Sequence, residues 1–305
     1  MRPVPSTPFV RPPATRKMTR VNTRATLTKG HGTENDFLIL ADPGATRPVS
    51  PDEVRRWCDR RAGFGADGLL RVVRTDALVA AGEIDAIPDG AEAGDWFMDY
   101  RNADGSLAEM CGNGVRVFAH WLQAQKLVDS ARFCVATRAG GRQVTILECD
   151  ERFATVRVEM GAAEILGRAQ ADVGNRTLDG LKVDVGNPHL AVVLQSARPE
   201  DIAAFPLTSP KVSASDFPQG VNLEVLTPLR EGEVSMRVFE RGVGETRSCG
   251  TGTVAAALAA LTAAHARTGE VSVHVPGGTV TVDVQDHGAA LTGPSELVGT
   301  IDAWI

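Results

Sequence analysis

The sequence predicts an α+β fold of two pseudo-symmetric domains, and two features of the chain support this prediction. Residues 109–116, around Cys111, recur in outline as residues 247–254, around Cys249, with the two cysteines 138 positions apart (249 − 111). A proline-free run that suits a helix follows each copy. Strand-like alternation, broken by glycine, aspartate and proline, fills most of the remaining chain. Each half is therefore expected to present one helix N-terminus within a largely β framework.

The predicted helices cover residues 115–126 and 254–266, and each comes directly after a glycine-rich turn. A weaker echo lies upstream of each helix. There an asparagine turn, at Asn35 in the first half and at Asn187 in the second, precedes a strand-like apolar run. Residues 76–95 are acidic and rich in alanine, and we predict that they form an inserted loop.

The composition narrows the class of protein. The chain has 305 residues, 43% of them hydrophobic, and a net charge of −6, which suits a globular protein of two domains. The negative charge gives no reason to expect nucleic acid or an anionic membrane as a partner. The most apolar helical stretch, 254–264, is far shorter than the ~20 residues that span a bilayer. Residues 1–25, rich in proline and arginine, are predicted to be a disordered extension.

The cysteines indicate a reduced protein, and we expect a cytoplasmic location. Five are present, widely spaced and without a C-x-x-C pair, so neither a disulfide framework nor a zinc site is predicted. They are Cys58, Cys111, Cys134, Cys149 and Cys249. The histidines show no ligand-spaced cluster, and no dinucleotide fingerprint occurs, so neither a metal nor a nucleotide cofactor is expected.

The two C-G-x-G copies predict chemistry at sulfur. A cysteine beside a helix N-terminus lies near unpaired backbone amides, whose partial positive charge is expected to lower the thiol pKa. The glycines let those amides converge on a carboxylate. Two such units facing one ligand would suit a racemase or epimerase without a cofactor, because one sulfur removes the α-proton while the other delivers a proton to the opposite face. A single cysteine is more often a small buried hydrophobe, but two matched copies favour function.

Four motifs, in order along the chain, resemble the diaminopimelate epimerase family. They are residues 29–37, 103–114, 186–189 and 240–252. The resemblance spans about residues 26–305 and implies conversion of LL-2,6-diaminopimelate to the meso isomer, without pyridoxal phosphate or metal, for lysine and peptidoglycan synthesis. It also implies that each domain is a mixed, β-barrel-like sheet wrapped around a central helix, and that the protein is a homodimer.

The implied domains are an N-terminal one, residues 26–160, and a C-terminal one, residues 161–293, with residues 294–305 returning to the first. Domain closure on the substrate is expected, because the reaction requires that water be excluded.

The resemblance also implies roles for individual residues. Cys111 and Cys249 match the two acid/base thiols, and His189 and Glu240 match residues that tune their pKa values. Glu240 and Arg241 match the pair that recognises the distal amino-acid group. Four asparagines match substrate-contacting positions: Asn35, Asn102, Asn187 and Asn222. Four further positions match those that hold the reacting carboxylate: Gly112, Asn113, Gly250 and Thr251.

Two positions depart from the family pattern. Gly68 stands where some members carry a substrate-contacting glutamine, and Ser248 stands where alanine is frequent, a change expected to be harmless.

Other interpretations of the motifs stay open. A proline racemase-like enzyme would use the same paired cysteines but would need no Glu240–Arg241 pair. A non-catalytic amino-acid-binding module or a thiol peroxidase would also account for cysteines at helix ends. The phenazine-type isomerases of this fold lack the paired cysteines.

Overall fold

The computed structural model describes residues 24–304. The predicted N-terminal extension lies outside this range, apart from Arg24 and Ala25, which form the start of the first strand. The elements of the first half, in chain order, are β1 (Arg24–Gly32), β2 (Asn35–Ala41), α1 (Pro51–Cys58), β3 (Gly68–Arg74), α2 (Thr75–Ala80), β4 (Trp96–Asn102), α3 (Gly112–Ala124), β5 (Arg132–Thr137), β6 (Gly140–Cys149) and β7 (Phe153–Gly161).

The second half has more strands and two helices. Its elements are β8 (Glu164–Val173), β9 (Arg176–Asp184), β10 (Pro188–Val193), α4 (Pro199–Ala203), β11 (Lys211–Val212), β12 (Asn222–Leu226), β13 (Glu233–Glu240), β14 (Gly244–Thr246), α5 (Gly250–Ala263), β15 (Gly269–Val275), β16 (Gly278–Gln285) and β17 (Gly288–Trp304). No helix within residues 24–304 is long and apolar enough to cross a membrane.

The strands of the first half close into a barrel. The pairs β1–β2, β3–β4, β5–β6 and β6–β7 are antiparallel, whereas β2–β3 and β4–β5 are parallel. The last strand of the chain, β17, pairs antiparallel with both β7 and β1 and so completes the ring. The first barrel thus depends on residues from both ends of the described chain.

The second half repeats this pattern of pairing and forms a second, barrel-like sheet. The pairs β9–β10, β12–β13, β15–β16 and β16–β17 are antiparallel, and β10–β12 and β13–β15 are parallel. These six pairs follow in the same order of antiparallel and parallel as the first six of the first barrel. The prediction of an α+β fold with two pseudo-symmetric domains is therefore confirmed.

Each barrel encloses one helix. Helix α3 is buried from Gly112 to Leu122, and α5 is buried along most of its length from Gly250 to Leu261. Helix α5 consists mainly of alanine and other apolar residues, which suits burial on all sides and makes it thin enough to fit between strands. Helix α3 also carries buried polar residues, Asn113, Arg116 and His120, which bond to partners outside the helix. The predicted central helices are confirmed in both halves.

The predicted helix boundaries were wrong by a few residues. The helices begin at Gly112 and Gly250 rather than at 115 and 254, because the C-G-x-G segment forms the first helical turn itself. They end at Ala124 and Ala263, before the predicted residues 126 and 266.

The stretch 76–95 was predicted as a loop; residues 76–80 belong instead to a short helix, whereas residues 81–95 contain no helix or strand. Its first residues belong to α2, consistent with its alanine content. It is anchored to the outer face of the first barrel by Glu83, which accepts hydrogen bonds from the fully buried Arg71 at 3.0 and 2.8 Å. Arg71 also binds Asp42 and Asp99, so this buried guanidinium is fully paired with carboxylates.

Candidate active site

The two cysteines of the repeated motif occupy equivalent positions. Cys111 is the N-cap residue of α3, and its sulfur accepts a hydrogen bond from the backbone N–H of Gly114 at 3.4 Å. Cys249 is the N-cap residue of α5, and its sulfur accepts from the N–H of Gly252, also at 3.4 Å. Both sulfur atoms therefore lie at the positive end of a helix.

The two helix starts touch each other. A Cβ atom placed on Gly250 would lie 3.0 Å from the Cα of Gly112 and 3.3 Å from the backbone nitrogen of Asn113. The Asn113 side-chain amide also donates to the backbone oxygen and to the hydroxyl of Ser248, both at 3.2 Å. The two N-termini, and with them the two cysteines, thus share one region between the barrels.

Burial decides the protonation of both thiols. It raises the pKa of Cys111 to about 11, against the opposing hydrogen bond from the Gly114 N–H and the charge of Arg116, while Glu240 raises it further. Burial also raises the pKa of Cys249 well above its ordinary value, and the carboxylates of Glu240 and Glu224 add to this. The expectation that the helix termini lower these pKa values was wrong, because loss of hydration outweighs the helix dipole. That Glu240 acts on both sulfurs is consistent with one shared site.

Glu240 lies beside Cys249. Its side chain is half-buried, accepts a hydrogen bond from Thr246, and lies close enough to the Cys249 thiol for that group to lower its pKa. Burial raises the pKa of Glu240, although the hydrogen bond from Thr246 opposes this. A carboxylate with a raised pKa next to a thiol is a suitable proton acceptor for it.

A chain of hydrogen bonds connects a buried carboxylate with Cys249. Glu224 and His189 are both fully buried, and Glu224 Oε1 lies 2.7 Å from His189 Nδ1. The other ring nitrogen of His189 lies 3.0 Å from Asn187 Oδ1, and the Asn187 amide donates to Thr251 Oγ1 at 3.4 Å. That hydroxyl lies 3.5 Å from the sulfur of Cys249. Predicted residues His189, Asn187 and Thr251 are thus brought to one thiol.

Asn35 lies on the side of Cys111. Its Oδ1 accepts a hydrogen bond from Asn113 Nδ2 at 3.2 Å and lies 3.7 Å from the Cys111 sulfur, which donates to it. Its Nδ2 donates to Asp67 Oδ2 at 2.8 Å. Asn35 and Asn113, which the sequence indicated, therefore lie beside the first thiol, but Asp67 was not among the indicated residues.

The remaining predicted residues have local partners. Asn102 donates to the Ser106 hydroxyl at 3.0 Å, across the turn that follows β4. Asn222 is buried and accepts from the backbone N–H of Arg241 at 2.9 Å. The exposed side chain of Arg241 donates to the carbonyl of Gln219 at 2.9 Å rather than to Glu240. The sequence neighbours Glu240 and Arg241 therefore have separate partners.

Two cavities of the protein lie away from the paired cysteines. These two cavities, of about 550 and 610 Å³, are lined by neither Cys111 nor Cys249. Within residues 24–304, no three side chains of histidine, cysteine, aspartate or glutamate form a group that could hold a metal ion. The chemistry available at the paired helix ends is that of two thiols, one neighbouring carboxylate and converging backbone amides.

The sequence model of the diaminopimelate epimerase family matches residues 27–166 and 181–298 of this chain. The chain belongs to this family. It is 56% identical over 272 residues to the diaminopimelate epimerase of Corynebacterium aurimucosum, covering 89% of this chain and 97% of that relative. It is 54% identical over 273 residues to the diaminopimelate epimerase of Mycobacterium ulcerans, covering 89% of this chain and 94% of the relative.

Solved structures with the same fold are far more distant in sequence. A phenazine biosynthesis protein of the PhzF family from Bacillus anthracis superposes with a TM-score of 0.63 at 15% identity, covering 93% of this chain and 100% of that protein. At this identity the likeness concerns the fold alone, and it agrees with the two-barrel architecture described above.

Three residues of this family member's site were missed by the sequence analysis. Ser248 was judged harmless, yet its hydroxyl accepts from Thr33 Oγ1 at 2.7 Å and from Asn113, and so joins the two halves. Nothing in the sequence marks Glu224 as a site residue except its position two residues after Asn222 in an apolar run. Asp67 directly precedes Gly68, the position that departs from the family pattern, and no local motif marks it.

Proposed function

We propose that this protein interconverts LL- and meso-2,6-diaminopimelate by a two-base mechanism in which Cys111 and Cys249 are the acid and base. The observation that carries the proposal is the contact between two helix N-termini, each capped by a cysteine sulfur. Membership of the diaminopimelate epimerase family supports the substrate.

The proposed reaction needs one thiolate and one thiol. The thiolate accepts the α-proton of the substrate, and the thiol on the opposite face donates its proton to the same carbon, so that the configuration inverts and the protonation states of the two sulfurs are exchanged. Because both thiol pKa values are raised, one sulfur must lose its proton as the substrate binds. Glu240 is placed to accept the proton of Cys249, and the α-ammonium group of the substrate would stabilise the thiolate so formed.

The backbone amides of the two helix starts are proposed to hold the reacting carboxylate. Gly112, Asn113, Gly250 and Thr251 lie at these starts, where amides have no partner within the helix. The negative charge that develops on the carboxylate as the α-proton leaves would meet the same amides, so they stabilise the transition state more than the ground state.

We propose that Arg241 binds the distal carboxylate of the substrate. Its guanidinium is exposed and bonded to one backbone carbonyl, so it keeps donors for a carboxylate. Asn222 fixes its backbone, and Asn102, at the edge of the first barrel, is proposed as a further contact. The position of Glu240 beside Cys249 favours its role in tuning that thiol over a contact with the distal ammonium group.

We further propose that the chain works as a cytoplasmic homodimer. All five cysteines are free, which suits a reducing compartment, and the dimer follows from the family resemblance. The division into residues 26–160 with 294–305 and residues 161–293 is proposed as the pair of units that open to admit the substrate. Light scattering of the purified protein tests the dimer, because a monomer mass at micromolar concentration would contradict it.

The decisive experiment follows exchange of the α-proton of LL-diaminopimelate in deuterated water. The wild-type protein and Cys149→Ala, which alters an exposed cysteine away from the helix starts, should both exchange and epimerise. Cys111→Ala and Cys249→Ala should each lose epimerisation. Wild-type rates in both of these variants would refute the two-base mechanism. Turnover of proline but not diaminopimelate would instead identify a proline racemase-like enzyme, and peroxide consumption without exchange would identify a thiol peroxidase.

A further inference from the structure

We propose that Asp67 is a positioning residue for this reaction: its carboxylate fixes the amide of Asn35 so that the carbonyl oxygen, not the NH₂ group, faces the sulfur of Cys111. The proposal rests on the proposed function, since it concerns the sulfur that we assign as an acid/base group.

The contacts of Asp67 determine which end of the amide it can hold. Its Oδ2 accepts hydrogen bonds from Asn35 Nδ2 at 2.8 Å and from the backbone N–H of Asp36 at 3.2 Å, while its Oδ1 accepts from Arg60 at 2.7 Å. An ionised carboxylate can only accept hydrogen bonds, so it selects the NH₂ end of Asn35. The Asn35 oxygen then points the other way, toward Cys111.

A second contact agrees with this orientation. Asn35 Oδ1 accepts from Asn113 Nδ2 at 3.2 Å, and the Asn113 amide donates at the same time to Ser248. A reversed Asn35 would place NH₂ against NH₂ at Asn113 and NH₂ away from the carboxylate of Asp67. The orientation is therefore fixed from both sides, and Asp67 supplies the charged partner.

This orientation bears on the chemistry of Cys111. A carbonyl oxygen accepts a hydrogen bond from a thiol but repels a thiolate, whereas an NH₂ group at the same place would stabilise the thiolate. The Asp67–Asn35 pair consequently favours Cys111 in its protonated form, ready to donate to the substrate. Cys249 has instead the hydroxyl of Thr251, which can rotate to donate or accept.

Asp67 itself is held firmly. Its backbone N–H donates to the carbonyl of Asp36 at 2.9 Å, and its carbonyl accepts from Ala103 at 3.0 Å, so it is pinned between the ends of β2 and β4. The guanidinium of Arg60 bridges Asp67 and Asp36. The charged and titratable groups that act on Cys111 are Glu240 and Arg116, with Tyr100 also close enough to respond to the sulfur.

The test measures the alkylation rate of Cys111 by iodoacetamide from pH 7 to 10, followed by mass spectrometry of its peptide. In Asp67→Asn the Asn35 amide is free to turn, and we expect Cys111 to react about three- to tenfold faster at pH 8, since one pKa unit corresponds to a tenfold change in thiolate below the pKa. Asp36→Asn removes a neighbouring charge but keeps the Asp67–Asn35 contact, and should change the rate less than twofold.

A double-mutant cycle separates orientation from charge. In an Asn35→Ala background, Asp67→Asn should have no further effect on alkylation. Equal acceleration in that background, or in Asp36→Asn, would show that only the charge of Asp67 matters and would overturn the proposal, as would an unchanged rate in Asp67→Asn. Asp67→Ser, which also removes the carboxylate, takes the place of Asp67→Asn if thermal melting shows the latter to be unfolded. Alkylation needs no turnover. A wild-type protein that is inactive on diaminopimelate would therefore refute the proposed function, while the alkylation rates would still test the role of Asp67.

Discussion

The contact between the two helix starts makes Gly250 the most informative single position for mutation. An alanine Cβ there would lie 3.0 Å from the Cα of Gly112 and 3.3 Å from the nitrogen of Asn113, both backbone atoms of the other half. Carbon atoms in contact normally lie about 3.5–4.0 Å apart, so the two helix starts must separate by roughly 0.5–1 Å. Because a misplacement of about 1 Å costs on the order of 10²-fold in rate, we expect Gly250→Ala to lower kcat/KM about 10- to 100-fold.

Gly112→Ala is the matched control. It is the equivalent glycine at the start of the other central helix, but its Cβ would meet the Met160 side chain at 3.0 and 3.2 Å and Leu291 at 3.4 Å. A methionine side chain can move aside, so we expect a loss below about threefold. Both variants keep the backbone N–H and gain helix propensity, and neither change alone should abolish folding.

The assay compares kcat/KM for epimerisation of diaminopimelate with thermal melting of both variants. Equal losses in the two variants would show that any side chain at a helix start disturbs the site. A wild-type rate in Gly250→Ala would show that the spacing of the two starts is not critical. Either outcome would refute the argument from backbone contact.

Three other predictions follow from the contacts of the site and its surroundings. Ser248→Ala removes a hydroxyl of the second half that accepts from two residues of the first half, and should cost about 1–2 kcal/mol in denaturant unfolding; unchanged stability would contradict it. Glu240→Gln removes a negative charge that raises the pKa of Cys249, so this thiol should alkylate faster at pH 8; slower alkylation would argue against the electrostatic role. Burial alone would raise the pKa of Asp36, but hydrogen bonds from two basic side chains lower it to about 2. The ionised Asp36 contributes up to about 2 kcal/mol to the stability of the fold; this contribution is complete above pH 3.8 and is lost as the pH falls through about 2. The stabilities of the wild type and of Asp36→Asn should therefore converge below pH 2.

Much of the site could be predicted because its chemistry is encoded locally. Cys111 and Cys249 each carry their own glycines and their own helix within a dozen residues, so the caps and the two-fold repeat are visible in the sequence. The asparagine turns at Asn35 and Asn187 could be recognised for the same reason. Local pattern thus predicted which residues lie at the helix ends and which turns lie beside them.

The predictions that were wrong or incomplete concern interactions between residues that are far apart in the chain. The direction of the thiol pKa shift was wrong because the sequence shows the helix terminus but not the sheet that removes water from both sulfurs. Ser248 acquires its partners from Thr33, 215 residues away. Asp67 reaches Asn35 only because β2 and β3 lie side by side, and strand pairing cannot be read from an apolar run alone.

The position of β17 has a consequence for folding during synthesis. Thr26, on the first strand, is bonded to Asp302, 276 residues later, and the first barrel is closed by this final segment. During synthesis the edges of β1 and β7 therefore stay unpaired until β17 has been made. A nascent chain that stalls before β17 is made would leave the first barrel open, with two strand edges exposed to pairing with neighbouring nascent chains.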